Sequence, residues 1–259
     1  MKPIRTQTKN LFAPCRGNYF SVFPTPMFHG TVDLNHDEVA NHCRDIVSKI
    51  DKGHTETEYT TYFDQDAREE THNQEWFNSF ANQMKDSYID FIKSQFNFET
   101  PFSRHDIHLF AWVSVYNKPH SHEVHNHVKS RISGTYYPYA NESSVPIKFF
   151  NPNMSSVFGH GARDDMMEID GHEQIQYMGT HGAQTDMSFF PKTGDFLLWP
   201  SYMMHTVPHS QEENVERIAI SFNLQHAEDL GSYHHGDDFD YSILDLSLIH
   251  ISEPTRRSM

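Results

Sequence analysis

The second half of the chain is a series of short strand-like segments separated by turns, and this feature constrains the fold most strongly. From about residue 106, runs of β-branched and aromatic side chains alternate with breaks that contain Gly, Pro, Asn or Asp. This pattern is typical of an all-β sandwich or barrel. The predicted strands are Ile107–Tyr116, Ile132–Tyr137, Ile147–Phe150, Met187–Phe190, Asp195–Trp199, His205–Val207 and Arg217–Leu224.

Two amphipathic helices are predicted in the first half. Asn35 is a candidate N-cap for a helix that ends near Gly53, and a second helix runs from Trp76 to Phe96. Residues 53–75 between them are polar and acidic without a helical or strand period, so we expect a solvated loop there. The apolar positions of the first helix recur at three- and four-residue steps: Val39, Cys43, Ile46, Val47 and Ile50.

The chain is interpreted as a single domain over residues 1–245, with helical support at about 35–96 and a β-barrel core at about 106–226. Residues Asn151–Asp186 are rich in Gly, Asp, Met and His without periodic order, which predicts a lid or substrate-side loop. Residues 246–259 include the run SLIHISEPTRRSM, which resembles translated vector sequence. We exclude this tail from the argument on fold and function.

Composition excludes several classes of partner. The formal net charge of −15 argues against nonspecific binding of nucleic acid. No run of eighteen apolar residues is present, so a membrane span is not expected. Cys15 and Cys43 cannot form a framework of several disulfides, which favours reduced thiols and a cytoplasmic location. The sequence makes no prediction about oligomeric state.

The 20 histidines are informative where they cluster. Residues 119–127 read PHSHEVHNH and follow a predicted strand. Because residues two apart on an extended segment point the same way, His125 and His127 can present their imidazoles to one point, as a metal requires. The alternative is a solvated polar loop that contains several histidines.

A second signal lies downstream, where a strand, a single histidine and an arginine follow in order. His205 lies on one predicted strand, and Arg217 begins the next. Ligands from two distant strands are the usual construction of an open non-haem iron site. A buried arginine needs an anionic partner, for which a carboxylate is the natural fit. Taken singly, His205 could be a core histidine and Arg217 a surface ion-pair residue near Glu216.

The ordered motifs H-x-H, S-G-x-Y-Y, G-x-x-x-x-x-P-S, H-x-V-P and R-x-A-I-S resemble the 2-oxoglutarate and iron(II)-dependent dioxygenases, specifically the branch akin to prolyl 4-hydroxylases. The resemblance spans roughly Leu109 to Gln225, and a weaker one covers Val22–Pro26 as a short opening strand. It implies a mainly β fold with N-terminal helices, in which α-helices brace a double-stranded β-helix (jelly-roll) barrel.

The resemblance also implies roles for individual residues. Arg217 matches the family residue that binds the 5-carboxylate of 2-oxoglutarate. In the family, a tyrosine also donates a hydrogen bond to this carboxylate. Since side chains alternate along a strand, only one of Tyr136 and Tyr137 can face inward, and Tyr137 is preferred. Ser133 and Ser221 are expected as minor contacts to the co-substrate.

One position departs from the superfamily pattern of H-x-D or H-x-E, because residue 127 is His. A narrower branch of the family carries H-x-H here, so the expected metal ligands are His125, His127 and His205. Glu123 or His122 could replace His127 as the second ligand.

The implied activity is hydroxylation of a peptidyl substrate, such as a prolyl residue, or of a small molecule. It uses Fe(II), O2 and 2-oxoglutarate, and it releases succinate and CO2. Two alternatives are a cupin-type three-histidine enzyme that does not use 2-oxoglutarate and a non-catalytic jelly-roll module for binding or structure. Arg217 argues against both, because neither needs a buried arginine on the strand after the distal histidine. The glutamate that a cupin carries shortly after H-x-H is also missing from residues 128–132.

Overall fold

The structure is a computed structural model, and it describes residues 25–50, 59–96, 103–117, 120–127, 130–152, 167–172, 174–180, 183–210 and 215–226. The vector-like tail and most of the Val22–Pro26 motif lie outside these residues. Among the described helices, none is long and apolar enough to cross a membrane.

Three helices lie in the N-terminal half. α1 spans His36–Lys49, and its predicted cap is confirmed, since the Asn35 side chain accepts a hydrogen bond from the Glu38 N–H. α3 spans Glu75–Phe96 and confirms the second predicted helix. Between them, α2 spans Gln65–His72.

The prediction of a solvated loop at residues 53–75 is wrong where the structure describes it. Asp64 caps α2 by accepting from the Ala67 N–H at 2.9 Å, and Thr61 is fully buried. Helix α2 was not predicted because it is only two turns long. It buries Ala67, Arg68 and Thr71 and has no apolar stripe at helical spacing.

Eleven strands are present in the described residues, and they confirm the mainly β prediction. Every predicted strand is observed, with some bounds shifted, and four further strands appear: Phe28–Thr31, His122–His125, Met167–His172 and Ile175–Thr180. The strands are β1 Phe28–Thr31, β2 Ile107–Tyr116, β3 His122–His125, β4 Ile132–Ala140, β5 Ile147–Phe150, β6 Met167–His172, β7 Ile175–Thr180, β8 Ala183–Phe189, β9 Asp195–Pro200, β10 His205–Val207 and β11 Arg217–His226.

These strands form two antiparallel sheets with the layout of a jelly roll. The five-stranded sheet has the order β1-β9-β4-β11-β2, and the six-stranded sheet has the order β3-β10-β5-β8-β7-β6. Several neighbours in the second sheet are distant in sequence: β10 pairs with β3, for example, which places His205 opposite His125. Sheet topology therefore brings the two histidine motifs together.

The prediction that Asn151–Asp186 is a lid or substrate-side loop is wrong in part, because the segment is not all loop. Strands β6 and β7 and the first residues of β8 occupy much of this segment, while residues 153–166 lie outside the described part. The three strands pair antiparallel in sequence order. Backbone pairing holds a hairpin of this kind without a strict apolar alternation, so these strands were not predicted from the residue pattern.

Two groups of buried side chains lie on opposite faces of the five-stranded sheet. The larger group joins that sheet to α1 and α3, and includes Phe80, Tyr136 and Phe222. The smaller group lies toward the second sheet and includes Tyr137 and Trp199. The site described next lies on this second face.

Candidate metal centre and carboxylate site

Three histidines converge between the sheets. His125 ends β3, His127 follows two residues later, and His205 begins β10. One nitrogen from each ring lies within 4.8 Å of the others. His205 is 3% exposed, and the other two are half-buried. The structure therefore brings together the three residues that were predicted as metal ligands.

Each ring presents the same nitrogen for coordination. His125 Nδ1 donates to the Glu123 carbonyl at 2.7 Å, and His205 Nδ1 donates to the Met203 carbonyl at 2.9 Å. His127 Nδ1 donates to Asn223 Oδ1 at 2.6 Å. Because these oxygens can only accept, Nδ1 carries the proton in all three rings and Nε2 keeps its lone pair. This tautomer leaves Nε2 of every ring available as a metal ligand.

Burial keeps the three imidazoles neutral. It lowers the pKa of His127 to about 3, with a further lowering from His125, while the hydrogen bond to Asn223 acts in the opposite direction. Burial likewise lowers the pKa of His125 and of His205. Neutral imidazole is the form that binds a metal, so the cluster is a donor set and not a group of repelling cations.

The two alternative ligands occupy different positions. Glu123 is exposed, and it is not part of the group of convergent nitrogens found in the described residues. His122 stacks on His125 with ring centroids 4.0 Å apart, and its Nδ1 lies 3.5 Å from the Tyr116 hydroxyl. Geometry thus favours His127 over both.

Arg217 lies buried beside this cluster. It is 2% exposed, and its Nε has no hydrogen-bond partner in the part of the chain that the structure describes. One terminal nitrogen donates to the Val145 carbonyl at 3.3 Å. The guanidinium lies 4.4 Å from the centre of the Tyr116 ring and 5.5 Å from that of Tyr137. A buried cation with so few partners is suited to an anionic ligand.

The two candidate tyrosines face opposite ways, as strand alternation requires. The Tyr136 hydroxyl lies 2.7 Å from His36 Nδ1 on the helix-covered face. Tyr137 lies near Arg217, and its buried hydroxyl has no partner among the described residues. Burial raises the pKa of Tyr137 to about 12, so its hydroxyl is a neutral donor. Tyr137 is therefore the tyrosine that can serve a ligand held by Arg217.

The predicted serine contacts fall on the same inner face. Ser221 lies two alternations beyond Arg217 on β11 and is half-buried. Ser133 is fully buried, and its Oγ lies 2.8 Å from Ser201 Oγ and 2.9 Å from Asn223 Oδ1. Ser133 thus belongs to the hydrogen-bond network behind His127.

Sequence reasoning missed two residues of the site. Tyr116, predicted only as the last residue of a strand, lies between Arg217 and His122 and so joins the arginine to the histidine cluster. Asn223 was not predicted, although it belongs to the alternating series 217, 219, 221, 223 on β11. Its position on the inward face was the available signal.

Aromatic rings enclose the histidines. Trp199 lies 5.1 Å from His205 and Phe149 lies 5.7 Å from it, measured between ring centroids. Trp112 lies 5.7 Å from His127. These rings are buried and reduce the access of water to the cluster.

The residues present fit a divalent first-row metal together with a small dicarboxylate. Three imidazole nitrogens with fixed tautomers suit iron, zinc or copper and leave coordination positions open. The unpartnered Nε of Arg217 and hydroxyl of Tyr137 are the donors that a carboxylate would satisfy.

Residues 110–223 match a family model described as "Putative 2OG-Fe(II) oxygenase". The match begins in β2, ends at Asn223, and includes the three histidines and Arg217. No curated protein sequence matches the chain.

Similar solved structures have little sequence in common with the chain. A prolyl-4-hydroxylase from Pseudomonas putida is 11% identical, with a TM-score of 0.45 over 78% of this chain and 88% of that one. HygX from Streptomyces hygroscopicus with nickel and 2-oxoglutarate bound is 11% identical, with a TM-score of 0.47 over 78% of this chain and 83% of that one. The α-ketoglutarate-dependent epimerase SnoN from nogalamycin biosynthesis is 8% identical, with a TM-score of 0.46 over 78% of each chain.

Proposed function

Because residues 110–223 match the model of a family described as putative 2OG-Fe(II) oxygenases, we propose that this protein is a dioxygenase that hydroxylates a peptidyl or small-molecule substrate with Fe(II), O2 and 2-oxoglutarate. One observation carries the proposal: three convergent neutral imidazoles lie beside a buried arginine whose Nε has no partner in the described chain. Three convergent imidazoles are compatible with many kinds of metal protein. The buried arginine is more specific, because it requires a carboxylate or another anion as its partner.

His125, His127 and His205 would hold the iron through Nε2. Bound iron and 2-oxoglutarate supply the oxidising chemistry, in which O2 is consumed, succinate and CO2 are released and a substrate C–H bond is hydroxylated. The chain itself supplies fixed ligand tautomers and a partly dehydrated pocket.

Arg217 and Tyr137 would hold the far carboxylate of 2-oxoglutarate. Both have a buried donor without a partner in the described residues, so a bound carboxylate would pair two groups whose burial is otherwise costly. A charge-assisted contact of this kind is short and directional, and it would fix the orientation of the co-substrate.

The three-histidine set changes the charge balance of the site. Three neutral imidazoles leave both positive charges on the metal, whereas a ligand set with one carboxylate cancels one of them. A dianionic co-substrate would compensate that charge. We therefore expect binding of metal and of 2-oxoglutarate to reinforce each other.

The protein's charge bears on the substrate. A net charge of −15 attracts basic or neutral substrates more than acidic ones. This favours a basic peptide or a small molecule as the acceptor over a nucleic acid.

The proposal is tested by adding Fe(II) and then 2-oxoglutarate to the full chain without oxygen. We expect a visible charge-transfer band from the chelate, lost in His205→Ala. In Arg217→Ala, the band should require about 100-fold more 2-oxoglutarate, because two charge-assisted hydrogen bonds are lost. Arg104→Ala is the matched control, since Arg104 is an exposed partner of Asp86.

Absence of the band at saturating 2-oxoglutarate would refute the proposal. Iron binding that depends on the histidines without any effect of 2-oxoglutarate would instead indicate the cupin-type chemistry.

A further inference from the structure

The three histidines are not held in the same way. His125 and His205 each donate Nδ1–H to the backbone carbonyl two residues earlier, so their own local chain fixes both rings. His127 donates to a side chain 96 positions away, Asn223 on β11. The orientation of His127 therefore depends on one tertiary contact.

Asn223 is itself held in place by the sheet. It lies opposite Ser133 in the pairing of β11 with β4, and Ser133 Oγ donates to the same Oδ1 at 2.9 Å. Ser133 Oγ also lies 2.8 Å from Ser201 Oγ, and the Ser201 carbonyl accepts from the backbone N–H of His127 at 2.9 Å. The Asn223 amide oxygen thus accepts two hydrogen bonds, which fixes which end of the amide faces His127.

We propose that Asn223 is the positioning residue that makes His127 a metal ligand, a role that rests on the proposed metal site. An imidazole has two nitrogens, and a free ring divides its proton between them. The Asn223 oxygen places the proton on Nδ1 and so leaves the Nε2 lone pair free, in a ring that has a nitrogen within 4.8 Å of nitrogens of His125 and His205. Without this acceptor, the ring could rotate or change tautomer, and the third ligand would be lost for part of the time.

The first measurement is metal affinity of the full chain, with Co(II) alone as the probe and chelator competition as the readout. Loss of an acceptor behind a metal-binding histidine weakens metal affinity about 10–100-fold, and we expect this loss in Asn223→Ala. Asn223→Asp keeps an oxygen acceptor at the same place and should retain Co(II) binding. Asn41→Ala, the same change on the exposed surface of α1, is the control and should have no effect.

The second measurement is made without a metal, and its decisive reading comes from the wild-type protein. Long-range ¹H–¹⁵N correlation spectra of the metal-free wild-type protein report which nitrogen of His127 is protonated, and the His127→Gln variant assigns the signals. We expect the Nδ1–H tautomer in the wild type and in Asn223→Asp. A predominant Nε2–H tautomer in the wild type would overturn the inference.

The outcomes separate this inference from the function on which it rests. If His127→Ala and His205→Ala lose Co(II) binding while folded Asn223→Ala binds Co(II) within twofold of the wild type, the positioning role is wrong and the metal site stands. If the histidine variants bind Co(II) normally, the metal site itself is wrong.

Discussion

The two neighbouring tyrosines of β4 lie on opposite faces of the five-stranded sheet and differ in the pairing of their hydroxyls. On the face covered by α1 and α3, the Tyr136 hydroxyl is hydrogen-bonded to His36, and the Tyr136 ring packs against Phe80. On the opposite face, the hydroxyl of Tyr137 and the Nε of Arg217 have no partner within the described chain. Since an unpaired buried donor is costly, the Tyr137 hydroxyl and the Arg217 Nε are donors that a ligand can satisfy.

Phe222→Ala on the helix-covered face should have the largest effect on folding. Phe222 is fully buried, its ring centroid lies 5.5 Å from that of Phe80, and its truncation leaves a large cavity. We expect a loss of about 3–5 kcal/mol in the free energy of unfolding, measured with urea. Phe63→Ala is the control, because Phe63 is 52% exposed. A loss below about 1 kcal/mol would show that this face is not the main source of stability.

Arg217→Met on the inner face, in contrast, should not lower the free energy of unfolding. The change removes a buried cation with few partners and keeps an apolar side chain of similar length, so stability in the absence of ligand should be unchanged or about 1 kcal/mol higher. The same denaturation experiment measures it. A loss of several kcal/mol would mean that the chain alone already compensates the guanidinium.

A pair of Tyr→Phe variants compares the two faces at neighbouring positions. Tyr136→Phe leaves His36 without its partner and should lower the free energy of unfolding by about 1 kcal/mol, without a change in 2-oxoglutarate affinity. Tyr137→Phe should leave stability almost unchanged and weaken 2-oxoglutarate binding about tenfold, as titration calorimetry with Fe(II) would show. The opposite pair of results would show that Tyr136, and not Tyr137, contacts 2-oxoglutarate.

The smallest expected effect is the pH dependence of stability that comes from His72 on the helix-covered face. Burial is the main cause that lowers the pKa of His72, with Arg68 acting in the same direction, although the Ala111 carbonyl and Glu69 oppose it. Below a pH of about 6.5 the unfolded chain takes up a proton that folded His72 does not, so stability falls as pH decreases through this range. His72→Gln should reduce the slope of stability against pH between about 6.5 and 5. An unchanged slope would contradict this assignment.

Much of the fold followed from local patterns. The Asn35 cap, the apolar period of α1 and the strand-like runs after residue 106 predicted elements that the structure confirms. Helix α2 and strands β6 and β7 were missed, because a two-turn helix and a backbone-paired hairpin leave no strong periodic signal. Short elements depend on tertiary contacts more than on their own composition.

The sequence by itself determined which residues could meet. Strand alternation placed Tyr136 and Tyr137 on opposite faces, and the spacing of His125 and His127 predicted that they share one. The tertiary structure decided that His205 pairs opposite His125, that Tyr137 lies near Arg217, and that Asn223 holds His127. Alternation is a property of each strand, whereas these contacts join residues up to 96 positions apart through the pairing of strands, which no local pattern specifies.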